Sequence, residues 1–111
     1  MADEATDPGL SPANQAAVEA ELAAMQDELA RTPARVVVTN HVVGLFQLAA
    51  IHLNQRPPNL DEGRLAIDAM ACLVDGLGDE LGEELPALQD ALAQVRLAYV
   101  QLMQHGGDVS L

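Results

Sequence analysis

Apolar residues recur along this chain at spacings of three and four, and nowhere alternate with period two. That pattern predicts helices and no strands. The most regular stretch is Leu85, Leu88, Leu92, Val95, Tyr99 and Leu102, spaced 3, 4, 3, 4, 3. It predicts a helix with one apolar seam running to about Gln104 and stopped at His105-Gly106-Gly107. Upstream, Asn59 is placed to cap a helix from Leu60 to about Leu77, with Glu62 completing a variant capping box. Gly63, Ala66, Ile67, Met70, Leu73, Val74 and Leu77 fall on one arc of that helix, and Asp61, Arg64, Asp68 and Asp75 on the other.

Two earlier helices begin at a hydroxyl residue followed by proline, Ser11-Pro12 and Thr32-Pro33. Such a pair is a start signal, because proline is tolerated at the first helical position. The first helix carries only a narrow stripe, Val18, Leu22, Met25 and Leu29, and ends near Arg31. The second, about 33–54, is apolar around most of its circumference, which predicts burial on more than one side. Its thin polar stripe is Asn40, Gly44, Gln47 and Asn54, and Arg56-Pro57-Pro58 stops it. The segment from Asp75 to Glu84 holds five acids and three glycines and reads as a helix end and a loop.

The predicted architecture is therefore all-α: a small antiparallel bundle of three core helices plus an N-terminal helix. The expected organisation is a disordered acidic tail over 1–10, an amphipathic helix over 11–31, a bundle domain over 32–105 and a flexible tail over 106–111.

Composition narrows the functional classes. The chain has 111 residues, 17 acids against five basic residues (all arginine), and a formal net charge of −12. Phosphate affinity comes from clustered cations, so direct nucleic-acid binding is not expected. Phe46 and Tyr99 are the two aromatic residues, too few for a base-stacking platform. Cys72 has no second cysteine to pair with. The acidic start, Met1-Ala2-Asp3-Glu4, lacks a signal-peptide pattern, and a cytoplasmic location is expected. Residues 36–55 are uncharged for 20 positions, long enough to span a bilayer, but only 12 are apolar. The interruptions favour a buried bundle helix over a membrane span.

Candidate chemistry is sparse. His41 and His52 lie 11 residues apart, about 16 Å along a helix, too far to share an ion. An EF-hand template started at Asp75 puts Leu77 third, Glu80 sixth and Pro86 twelfth, and fails. Cys72 sits near Asp68 and Asp75, whose charge disfavours a thiolate. It reads as a semi-buried filler. No catalytic residue, cofactor or metal is expected. Interaction residues are the better candidates: Asn40 and Gln47 on the polar stripe, Arg96 and Tyr99 beside the last seam, and the acids Asp79, Glu80, Glu83 and Glu84. Arg96 would by default pair with an acid on a neighbouring helix, and the acids could meet a basic partner.

Three stretches carry a family resemblance: His52-Leu-Asn, Asn59-Leu-Asp-Glu-Gly-Arg-Leu-Ala-Ile-Asp-Ala-Met, and Leu92-Ala-Gln-Val-Arg-Leu-Ala-Tyr-Val. Over about residues 35–104 the chain resembles a family of small bacterial, largely actinobacterial, proteins known as a domain of unknown function. The resemblance implies an all-helical soluble protein and lends no catalytic residues. The expected function is a non-catalytic protein–protein interaction or assembly module, as a homodimer. The alternatives are a small-ligand or lipid-binding bundle, and an acidic nucleic-acid mimic acting on a basic partner. An apolar strip on the second helix that the third and fourth helices leave uncovered motivates the dimer, and the first helix either covers that strip within the chain or pairs with the first helix of a second copy.

Overall fold

The computed structural model describes residues 11–109, and every regular element among them is helical. The helices are α1 (Pro12–Arg31), α2 (Ala34–Leu53), α3 (Leu60–Leu77) and α4 (Leu85–Val109), with a 3₁₀ segment, Gly78–Glu84, between the last two. The expected tail over 1–10 lies outside the described residues. The chain divides into two compact units at Pro33/Ala34.

The first unit contains α1. Ser11 caps it as the sequence suggests, its hydroxyl accepting from the Asn14 N–H at 3.2 Å. Thr32 acts differently from its expected role as the cap of α2. Its hydroxyl donates backwards to the Glu28 carbonyl at 2.8 Å, and its N–H donates to the Glu28 and Leu29 carbonyls, so it closes α1. A threonine after the last turn finds unsatisfied carbonyls within reach, and those acceptors compete for it. No residue of α1 is buried.

The second unit contains α2, α3, the 3₁₀ segment and α4, which share one apolar core. The predicted faces meet there. From α3 come Ala66, Ile67, Met70, Ala71 and Val74, and from α4 Leu88, Leu92 and Val95, all buried. Leu85, Tyr99 and Leu102 extend the α4 seam as partly buried contacts.

At the α2–α3 junction the Asn59 side chain accepts from the Glu62 N–H at 3.3 Å. The reciprocal half of the expected capping box is replaced. The Asn59 N–H donates to the His52 carbonyl at 2.9 Å, tying the start of α3 to the end of α2. Gly63 completes the junction. A Cβ there would stand 2.7 Å from Leu53 Cδ2, so the Leu53 side chain fills the space that a larger residue at 63 would take.

Four expectations need correction. First, α2 is not buried on more than one side. Val42, Ala49 and Leu53 are buried, while Val36, Val43, Leu48 and Ile51 are exposed, because α3 and α4 cover one side only. Second, α4 does not stop at its glycines but runs through Gly106 and Gly107 to Val109. Glycine costs a helix about 1 kcal/mol relative to alanine, which weakens it without forcing a break. The flexible tail expected from 106 therefore begins with helical residues, and residues 110–111 lie outside those described. Third, the acidic loop is a 3₁₀ segment rather than irregular chain, held by Leu81, which is 1% exposed. Fourth, Cys72 is exposed rather than semi-buried.

Two outcomes follow from this division of burial. Leu92→Ala should destabilise the second unit by about 2 to 5 kcal/mol, the usual cost of deleting a buried leucine, read from thermal melting by circular dichroism. An unchanged midpoint would contradict the seam. Removal of residues 1–31 should leave cooperative unfolding intact, since the core draws nothing from α1. Loss of a sigmoidal transition would contradict it.

Candidate functional site

One concavity in the second unit lies where the N-terminal half of α2 meets the 3₁₀ segment. α3 ends on Gly78 at φ +51, whose N–H donates to the Val74 carbonyl. The chain then makes a short 3₁₀ run and turns sharply at Gly82, φ +75 and ψ −146, before entering α4. Both glycines adopt backbone that L side chains rarely reach. Between them Leu81 drops into the core and anchors the turn. Arg35 then lies over Gly82. A Cβ on Gly82 would stand 2.9 Å from Arg35 Cδ and 3.2 Å from Nε.

The resulting groove encloses about 510 Å³. Arg35, Val36, Thr39, Asn40 and Val43 form the α2 wall, and Leu81, Gly82, Glu83 and Glu84 form the other. It holds a guanidinium, a hydroxyl, an amide and two carboxylates above an apolar floor. Thr39 Oγ1 is buried there with no hydrogen-bond partner.

The candidate residues named from the sequence divide accordingly. Asn40, Glu83 and Glu84 come together in the groove although more than 40 positions separate them in the chain. Asp79 and Glu80, also on the 3₁₀ segment, are exposed and do not line it. Gln47 is exposed further along α2, so the polar stripe lines the groove only at Asn40. Arg96 pairs with Asp75 of α3 at 3.9 Å, both side chains more than half exposed. Such a pair contributes at most about 1 kcal/mol. Tyr99 is half-buried against the core. Arg35, Thr39 and Gly82 were missed. The tight turn around Gly82 was signalled by glycines on an acidic segment, but nothing local marks which helix it approaches.

The histidines sit apart from this site. His41 is exposed, and His52 is half-buried with its Nδ1 shielded and unpartnered. Arg64 and Asp68 form the expected i,i+4 pair at 3.7 Å on the exposed side of α3. Among the described residues no group of three or more His, Cys, Asp or Glu is placed to hold a metal ion. α2 is the one described helix long and apolar enough to cross a membrane, judged by length and composition. A second, smaller crevice of about 230 Å³ lies between α2 and α4 and is lined mainly by Phe46, Ala50, Leu53, Val95, Ala98 and Leu102.

No family model matches this chain, nor does any curated protein or solved structure.

The backbone at Gly82 supplies a paired test. Gly82→Ala should cost about 1 to 3 kcal/mol, since it forces an L residue to φ +75 and pushes on Arg35. Gly76→Ala, inside α3 with open space around it, should instead be neutral or stabilising by up to about 1 kcal/mol. Denaturant midpoints of the two variants check this. Equal shifts would mean that Gly82 is not needed for its conformation.

Proposed function

We propose that this chain is a small, acidic, non-catalytic interaction module that assembles through apolar helical faces as a homodimer. The observation that carries the reading is the apolar surface outside the core. Val18, Leu22, Met25 and Leu29 of α1 are 50–59% exposed, and Val36, Val43, Leu48 and Ile51 of α2 are also exposed. Single exposed leucines are ordinary, but rows of them along one helix mark an interaction face. In this reading α2, α3 and α4 form a small antiparallel bundle, and α1 is an appended assembly helix. The acids Asp79, Glu80, Glu83 and Glu84 offer charge to a basic protein partner. Neither nucleic acid nor a membrane is a partner, and the module works in the cytoplasm.

A second reading is a binding site for a small polar ligand in the Arg35–Glu84 groove. It is favoured by the guanidinium of Arg35, the amide of Asn40 and the carboxylates of Glu83 and Glu84 that line the groove. Native mass spectrometry of protein purified under mild conditions discriminates the two, because a ligand adds a discrete mass to a single chain.

Light scattering behind gel filtration at micromolar concentration tests the assembly. Two chains should be found at physiological salt, and fewer pairs at low salt, because the charge of −12 repels a second copy until it is screened. A single-chain mass under both conditions overturns the proposal.

A further inference from the structure

We infer that the homodimer is held by α1, paired in parallel and in register with α1 of a second copy; this rests on the assembly reading above. The exposed stripe of α1 has the spacing of a coiled-coil seam. Val18 and Met25 occupy d positions, and Leu22 and Leu29 occupy a positions. A stripe confined to a and d is too narrow to pack beneath a broad core and suits a single partner helix. α1 has a side-chain hydrogen bond at each end, from the Asn14 N–H to the Ser11 hydroxyl and from the Thr32 hydroxyl to the Glu28 carbonyl. None of its residues is buried, so its apolar stripe stands open to a partner.

Charge beside the seam selects both the occupant and its direction. The flanking g positions are Asn14, Glu21 and Glu28, and the e positions are Glu19 and Gln26. In a parallel pair each g residue faces the e residue five positions later on the partner helix. Asn14 then meets Glu19 and Glu21 meets Gln26, so each of these acids faces an amide able to donate to it. The e position opposite Glu28 falls on Pro33, beyond the helix end. In an antiparallel pair g faces g, and Glu21 meets Glu28 twice, two like-charge contacts at the seam. A second copy in parallel therefore places an amide opposite Glu19 and Glu21 and keeps Glu28 away from another acid, without a basic residue on either side.

The test uses the full chain with Cys72→Ser, since that thiol is exposed and would cross-link by itself. Gln15 holds the first a position of α1 and lies far from the helix centre. In the parallel register two copies of Gln15→Cys face each other and should form a disulfide-linked dimer on mild oxidation. In the antiparallel register they stand about 25 Å apart and cannot. Ala20→Cys, on the far side of the helix from the seam, should not cross-link in either case. Leu22→Glu should reduce the two-chain mass to one chain while leaving the melting of the second unit unchanged. Failure of Gln15→Cys to cross-link in a protein that is still dimeric overturns the inference, as does a Leu22→Glu variant that remains a dimer. A four-chain mass overturns the two-helix seam. A single-chain mass for the unaltered protein overturns the assembly reading itself, so the two failures are distinguishable.

Discussion

The second unit depends on how closely α2 and α3 approach at their shared end. Gly63 lets Leu53 pack directly against the backbone of α3, and the Asn59 N–H donates to the His52 carbonyl across the same junction. These two contacts bring the first turn of α3 against the last turn of α2. Once that is set, Val42, Ala49 and Leu53 on one helix face Ala66, Ile67, Met70 and Val74 on the other. α4 then has a groove into which its own seam fits. The tightness of the junction comes from small groups, glycine and backbone amides, rather than from large side chains. That suits a chain whose core is built from Leu, Val, Ala and Met with two aromatics.

The same economy leaves apolar side chains exposed on each of the two units. Two faces, one from α3 and one from α4, cover about half of α2, and the outer half remains exposed with its valines and leucines. α1 adds a stripe of its own and contributes nothing to the core. A surface of this kind in a strongly acidic protein sets two opposing forces on association. Apolar burial favours it, and electrostatic self-repulsion limits it to contacts whose charges are arranged to avoid one another. In the parallel pair proposed above, Glu19 and Glu21 of α1 each face an amide.

The groove at Gly82 shows how a local rule can lead to a nonlocal site. The run of acids and glycines between α3 and α4 reads as a solvated turn, and most of its side chains are indeed exposed. What gives the turn a shape is Leu81. It is buried between Gly78 and Gly82, which adopt positive φ, and Glu83 and Glu84 beyond it line the groove opposite Asn40 of α2. The polar groups of the groove are thus collected by one apolar anchor rather than by attraction among themselves.

The helices themselves were legible in the sequence. The bounds of α3, the Ser11 and Asn59 caps, the buried seam of α4 and the Arg64–Asp68 pair all rest on neighbours within a turn or two, and helix periodicity and capping are local. The exposed stripe of α1 was legible for the same reason. The side of α2 that is covered was not, because its composition is apolar all round, and only the number of helices that reach it decides which residues see water. Nor was the role of Thr32, whose hydroxyl lay equally near two helix ends and was claimed by the free carbonyls of α1. The passage of α4 through its glycines, the burial of Leu81 and the meeting of Arg35 with Gly82 likewise belong to the tertiary structure. Periodicity states which face of a helix is apolar; only packing, which joins residues far apart in the chain, states how much of that face is used.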